Sequence, residues 1–568
     1  MKLNKIFFLI IMQLLLVCLA LFPGSMPTNL KAQTPGIDEN MNLIKVGIST
    51  NNFSQLEYTQ ISITSKGAFE IVNKRDGTLL DTSEGNDIFT FKVEDEDISV
   101  YKGKTLVTDG LYGPIGVLPQ DTEPVEIVGL KRAGKPALYR GEIDIVKSPE
   151  KDDKLSAVNV LPIEEYLKGV VPNEMPSYFG MEALKAQAVA ARNYAIKPRT
   201  KTYQQFDICD SVACQVYFGY NTETARGTQA VEETRGLVGI YNSDLILALY
   251  SSTAGGYTEN YENAFTENGS SDFSRPCSKP YLKGKPDNPD TPVLDNENNA
   301  RVFYTNIQAC YENDSGFYRW TRRWTEKELE YVLNKNLPKY RNTGFVYPYF
   351  GKNLKTGAIK KVEVACRGVS GKAMIVKITA ANGIWMVKKE LFIRKIFENA
   401  GKMLPSANII IDNITDANGN LSEVFMYGGG LGHGVGMSQF GANGMSQKGF
   451  TFDQILQHYY DKISIGTPPV VLSSAPKTEA VYQRFYTTNS DVDLIIDNSR
   501  RLNSMKVIIN SNEMDIPLKD YSENKIRINL ENYINTGIND IIYFPPKSDE
   551  EESCVKAWVE VYKTADDR

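Results

Sequence analysis

Two short stretches of this 568-residue chain concentrate side chains that can do chemistry. In Val170-Val171-Pro172-Asn173-Glu174-Met175-Pro176 one carboxylate sits between two prolines, with Val171, Met175 and Tyr178 around it. Partial burial in such apolar company disfavours a charged carboxyl, so Glu174 would stay protonated near neutral pH and serve as a general acid. Capping the next helix, or lying in solvent, is the alternative, and spacing alone leaves both open. The second stretch, Met426 to Ile463, contains Gly430-Leu431-Gly432-His433-Gly434-Val435-Gly436. Alternating glycines do not make a regular packed strand; they let a backbone take positive φ or lie against a ligand, which suits a polymer in a groove. His433, at its centre, can donate or accept a hydrogen bond near pH 7, the alternative being a buried histidine bonded to a carbonyl. No Gly-Lys-Ser/Thr follows, so this is not a phosphate loop.

Composition narrows the chemistry further. His433 and His458 are the only histidines, which excludes three-histidine metal centres and any His-x-x-x-His zinc helix. With 63 basic and 69 acidic residues the formal charge is −6, an acidic balance that argues against nucleic acid or anionic lipid as a partner. Hydrophobic residues at 42% and charged residues at 23% are ordinary globular values, and the length predicts several domains.

The elements that must hold these side chains are legible as patterns. Pro162 suits the first helical position, Glu164 and Glu165 sit at the positive end of the dipole, and Gly169 suits the position just past a helix end, predicting a two-turn helix that stops there. Pro172 and Pro176 then predict a stiff, irregular backbone around Glu174. A second helix is expected from about Met181, with Leu184, Ala188, Ala191 and Ala195 on one stripe, whose alanines let other elements approach closely. Lys185 and Arg192 share a face of it, to meet a ligand or to face solvent. Residues 41–160 alternate as short β runs between turns. Thr325 and Glu328 read as a capping box, and Trp320 and Trp324 share the core side of a strand.

Lys2 and Lys5 precede an apolar run, so residues 1–32 read as an export signal delivering the chain to the cell wall or outside; an uncleaved membrane anchor at 6–22 is the alternative. A polar insertion is expected at 263–299, with Cys277 and Cys310 on either side of its second half, a linker at 466–479, and a small β-sandwich at 480–568. The fold class is α+β.

Taken together, Leu161–Ile196 and the run from Gly432 to Ala442 resemble the SpoIID/LytB family. Further matches are Tyr139-Arg140-Gly141, Cys209-Asp210 with Cys214-Gln215-Val216-Tyr217, Ser251-Ser252 with Gly255-Gly256-Tyr257-Thr258, and Ile455-Leu456-Gln457-His458-Tyr459-Tyr460, in family order within 41–465. The resemblance implies a β-rich domain with a central helical segment and a glycine-rich cleft. It implies a peptidoglycan lytic transglycosylase that cuts the β-1,4 bond between N-acetylmuramic acid and N-acetylglucosamine, with Glu174 catalytic. One carboxylate suffices, because the muramoyl C6 hydroxyl closes a 1,6-anhydro ring and no water nucleophile is needed. The alternative is a non-catalytic, LytB-like enhancer of an N-acetylmuramoyl-L-alanine amidase. Expected partners are glycan strands and a cell-wall amidase, in sporulation or wall remodelling. Substrate contacts are expected from His433, Gly434, Gln439, Ser438, Tyr257, Ser251, Arg192 and Lys185. Sporulation-type members hold zinc with two cysteines and two histidines; here Cys209 and Cys214 remain but Ala213 stands in a histidine's place. No cofactor and no structural zinc are therefore expected, and at most a Cys209–Cys214 bridge. Leu431 replaces an aromatic residue of the family's glycine motif.

Overall fold

A computed structural model describes residues 43–197, 203–266, 278–350, 355–475, 479–488, 491–500, 502–547 and 554–562. The expected export segment and Cys277 lie outside the described residues. Among the described residues no helix is long and apolar enough to cross a membrane.

Period-two alternation, as along Gln60–Ser65, builds two sheets whose inward residues join one core. The first runs Ile208–Cys209, Leu43–Ile48, Leu155–Pro162, Glu142–Lys147, Ile115–Pro119, Phe69–Asn73, Thr78–Ser83. The second runs Lys135–Tyr139, Val125–Arg132, Gln60–Ser65, Phe89–Glu94, Asp97–Lys102, Thr105–Leu111. Leu155–Pro162 is buried along almost its whole length, paired on both edges, and leads directly into the helix Ile163–Glu174.

That helix corrects the expected stop at Gly169. It passes through Gly169 and Pro172 and ends on Glu174. Gly169 is there for packing: a Cβ at that position would stand 2.7 Å from the Tyr217 ring. Pro172 removes one N–H from the last turn. The turn is held instead by Met175 N–H donating to the Val171 carbonyl at 3.0 Å and by Asn173 Nδ2 donating to the Gly169 carbonyl at 2.7 Å. Met175 is extended, as a residue before proline must be, so the chain leaves the helix immediately after Glu174.

The helix Met181–Ile196 begins where expected and is buried on nearly every side, packed on Ile163–Glu174, Ala225–Glu232, Gln439–Gln447 and Phe452–Tyr459. Arg192 does not reach a surface. Its guanidinium donates to both oxygens of Glu164, at 2.9 and 2.7 Å, and to the Leu237 carbonyl at 2.9 Å. Asn193 and Gly239 exchange hydrogen bonds of 2.8 and 2.6 Å one residue further on. An ion pair and an amide thus anchor the helix to the Leu237–Gly239 backbone.

Two strands of two residues each, Tyr250–Ser251 and Met437–Ser438, pair in parallel. Much of the intervening chain forms an excursion with a core of its own, around Trp320, Trp324, Leu329, Leu333, Trp385 and Ile393. It is far longer than the polar stretch 263–299. Its sheets are Trp320–Thr325, Leu421–Gly428, Ile409–Thr415, and Val346–Phe350, Gly383–Lys388, Ala373–Ala380, Ile359–Arg367. Both tryptophans are buried, and Thr325 and Glu328 form the reciprocal capping box of Glu326–Tyr340.

The expected linker at 466–479 contains the strand Val470–Ser473, which pairs with Cys554–Val561. Cys554–Val561 also meets Ser464–Gly466, which pairs in turn with Val238–Tyr241. The last strands of the chain therefore extend a sheet begun upstream. Val481–Thr487, Gly537–Tyr543, Met505–Ile509 and Asn512–Ile516 form a separate sheet.

Replacing Arg192 by Met should strand the Glu164 carboxylate without its partner and lower unfolding stability by roughly 3–5 kcal/mol in chemical denaturation. Adding Glu164→Leu should recover most of that loss, since an apolar pair of similar volume replaces a buried ion pair at little cost.

Candidate active site

Glu174 opens into a cleft of about 760 Å³. The central part of the chain supplies Val216, Tyr250, Ser251, Gly432, His433 and Gln439 to its lining; the excursion supplies Phe345, Leu391, Phe392 and Arg394, with Phe265 beside them. Position at a helix end, imposed by Pro176, presents the Glu174 carboxylate to this space. Glu174 Oε1 accepts a hydrogen bond from the Val216 N–H at 2.6 Å, and the Gln439 side chain also hydrogen-bonds to the carboxylate. Gln439 Nε2 is in turn 3.3 Å from Gln187 Oε1 on the central helix. Burial outweighs both hydrogen bonds and pushes the carboxyl up to about 7. A group so poised can give a proton and take one back near neutrality. Glu390, the other carboxylate of the lining, is tied to Arg394 at 2.9 Å.

The backbone that touches Glu174 is itself held. Gln215 Nε2 donates to the Tyr250 hydroxyl at 2.8 Å, and Gln215 Oε1 accepts from Tyr166 at 3.1 Å, fixing the segment on which Val216 lies. Gly430, Gly432, Gly434 and Gly436 all have positive φ. At Gly436 a Cβ would lie 2.1 Å from the Leu249 carbonyl, so glycine is required there twice over.

His433 is not a titrating group near pH 7. Its Nδ1 accepts from the Val435 N–H at 3.1 Å, it bonds the Tyr250 backbone, and the Phe265 ring meets it edge-on at 5.0 Å. Desolvation, helped by Lys372 and Arg394, pushes the imidazole down to about 3, so it is neutral and shapes the cleft wall.

Of the side chains expected to meet substrate, Ser251, His433 and Gln439 line the cleft with Glu174. Gly434 lies buried behind them, its N–H donating to Ser251 Oγ at 3.2 Å. The others are elsewhere. Ser438 is buried and caps Gln439–Gln447, accepting from the Gly441 N–H at 3.2 Å. Tyr257 packs inside a cluster with Leu294, Phe303 and Tyr304. Lys185 pairs with Glu182 at 2.9 Å and Glu233 at 2.7 Å in a different groove, and Arg192 is the internal anchor of its helix. His458 faces Asp287, outside the cleft. Sequence reasoning missed the Val216 N–H, which has no side-chain signature, and the excursion's rings, which no local pattern connects to Glu174.

Cys209 and Cys214 are free cysteines whose Sγ atoms lie in direct contact. Their contact favours the thiolate at Cys209 and pushes the Cys214 thiol upward. Their side-chain neighbours are Tyr203 and Ser211, with no imidazole, so the pair does not fit a tetrahedral zinc site. Among the described residues no three His, Cys, Asp or Glu side chains cluster to hold a metal.

The stretch with this architecture around Glu174, residues 151–241, matches the family model described as SpoIID, stage II sporulation protein. Residues 269–436, most of the excursion, match a model described only as a domain of unknown function. Among similar proteins, the amidase enhancer of Bacillus subtilis is 33% identical over 306 residues, 52% of this chain and 39% of its own length. Stage II sporulation protein D of the same organism is 29% identical over 333 residues, 56% of this chain and 78% of its own length. An uncharacterized protein of Brachyspira hyodysenteriae is 29% identical over 317 residues, covering 55% and 69%. The SpoIID match thus contains Glu174, its helix and Val216, and stops short of the glycine loop.

The raised carboxyl of Glu174 has a thermodynamic signature. A folded value of about 7 against an ordinary 4.5 means that the stability contributed by neutral Glu174 is complete below pH 4.5 and lost as pH rises through 7. Glu174→Gln should therefore gain stability over the parent as pH rises across that window, by up to about 3 kcal/mol. Parallel denaturation series at several pH values check this; a gap that does not change with pH would contradict it. Gln439→Leu, by removing a donor to the carboxylate, should move the Glu174 titration higher still, read by NMR of labelled glutamate.

Proposed function

We propose that this chain is an exported lytic transglycosylase acting on peptidoglycan glycan strands, with Glu174 as its one catalytic carboxylate. The observation that carries this reading is a glutamate without a cationic partner, pushed to about 7, at the edge of a large cleft whose other carboxylate, Glu390, is occupied by Arg394. The Glu174 carboxyl protonates the glycosidic oxygen as the muramoyl C1–O bond breaks. The C6 hydroxyl of the same sugar then attacks C1, and the Glu174 carboxylate takes its proton, leaving a 1,6-anhydro end and restoring the acid. The Val216 and Gln439 donors stabilise the carboxylate between these steps, keeping its affinity for a proton near neutrality rather than higher. The glycine loop, neutral His433 and the excursion's aromatic rings form the walls against which a strand would lie. A cell-wall amidase is the expected partner, and sporulation or wall remodelling the expected setting.

A second reading, a non-catalytic enhancer of an amidase, is favoured by one observation: the relative of 33% identity is named an amidase enhancer. One experiment separates the two. Incubation of the protein with glycan strands stripped of stem peptides should release 1,6-anhydro products, detected by mass spectrometry, at a rate that declines as pH rises through about 7. Glu174→Gln should lower that rate by roughly 10²–10⁴. If parent and variant are equally inert and both stimulate an amidase, the enhancer reading replaces the enzymatic one.

A further inference from the structure

A second cavity, of about 430 Å³, adjoins the Glu174 cleft, and Ala213 lines both. The adjoining cysteines mark the boundary: Cys214 faces the cleft and Cys209 faces the second cavity. Its lining combines the rings of Phe53 and Phe206 with the amides and hydroxyl of Gln55, Gln205 and Ser156. No lysine or arginine belongs to it, and its two carboxylates, Glu57 and Glu150, would repel a phosphate or a polyanion while accepting hydrogen bonds from hydroxyl groups. Flat apolar faces beside amide and hydroxyl groups match the chemistry of a neutral N-acetylated sugar, which has an apolar ring face and a polar edge.

Phe53 gives the cavity an independent mark of use. Its backbone has φ of +56°, a left-handed conformation that a bulky L-residue rarely adopts and that persists only where surroundings enforce it. The enforcing contacts are visible. The ring stacks on Phe218 at 5.5 Å and lies under the Arg132 guanidinium at 4.5 Å. Arg132 is wholly buried and clamped by Asp210 at 2.6 Å and the Ser49 carbonyl at 2.5 Å. Despite these contacts, Phe53 remains 37% exposed and lines the cavity. Phe206 is likewise braced, stacked on Tyr203 at 4.4 Å. Strained backbone and a buried cation are thus arranged to hold an aromatic ring at the cavity, with no contribution to the main core.

We propose that this cavity is a distal saccharide subsite that takes sugar units of the same glycan strand beyond the bond held at Glu174. The proposal rests on the glycan-strand reading of the cleft. A polymer cut internally extends on both sides of the scissile bond, and a subsite one wall residue away lengthens the stretch of strand that contributes to binding. Binding to short oligosaccharides then draws on the cleft alone, and binding to long ones draws on both.

The test uses the full chain carrying Glu174→Gln, which binds without cutting, and β-1,4-linked N-acetylglucosamine oligomers of increasing length, measured by calorimetry. Affinity should rise with length and then level off. Phe53→Asn removes the ring while tolerating the left-handed backbone, and should weaken long oligomers about tenfold, the loss of one good aromatic contact. Unchanged circular dichroism and melting would confirm the fold of the variant. Affinity independent of length, or a length dependence untouched by Phe53→Asn, overturns the subsite while short-oligomer binding keeps the cleft reading intact. If no oligomer binds the Glu174→Gln chain at any length, the glycan reading of the cleft fails with it.

Discussion

The site depends on the parallel pairing of Tyr250–Ser251 with Met437–Ser438. So short a ladder cannot by itself overcome the entropy of closing the long excursion between its strands. Buried carboxylates supply the rest. Glu312, from the excursion, accepts the N–H groups of Ala254, Gly255 and Gly256 at 2.9, 2.6 and 2.9 Å. Glu259 accepts from Val369 and Ser370 on the far side of the same excursion. Each ties an exit or return of the chain to backbone that would otherwise be buried without partners. The glycine loop and Gln439 reach Glu174 because these clamps hold.

Glu312 also qualifies what a raised carboxyl means. Burial and Asp287 push it up to about 7, the same value as Glu174. Yet Glu312 is fully enclosed and saturated with backbone donors, whereas Glu174 borders open space. Desolvation alone therefore does not distinguish a clamp from a candidate acid. Access does, and access here is created by a proline that ends a helix at the right residue.

Legibility in the sequence followed the range of the interactions concerned. Glu174 between its prolines, the capping box at Thr325 and the glycine loop were readable because their causes lie within a few residues. Gly169 was misread because a glycine that ends a helix and one that admits a neighbour look alike; only Tyr217 tells them apart. Arg192 and Lys185 share a helical face by period, but Glu164 draws one of them inside while the other stays at a groove rim. The Pro-rich stretch after Gly466 hid the strand Val470–Ser473 because its partner, Cys554–Val561, comes at the end of the described chain. His433 lines the cleft, and its charge state is set by burial and by groups from the excursion that no motif announces.

The distance along the chain between the halves of the cleft has a consequence for synthesis. Gln187 and Gln439, whose side chains meet beside Glu174, are 252 residues apart. A polypeptide made from its N-terminus has the Glu174 helix long before it has the amide that completes the carboxylate's surroundings. Until the excursion has folded and returned, the glutamate lacks both its far wall and one of its donors. Topology alone leaves the cleft unfinished in the nascent protein, and a truncated copy ending anywhere before the glycine loop would lack both the loop and Gln439.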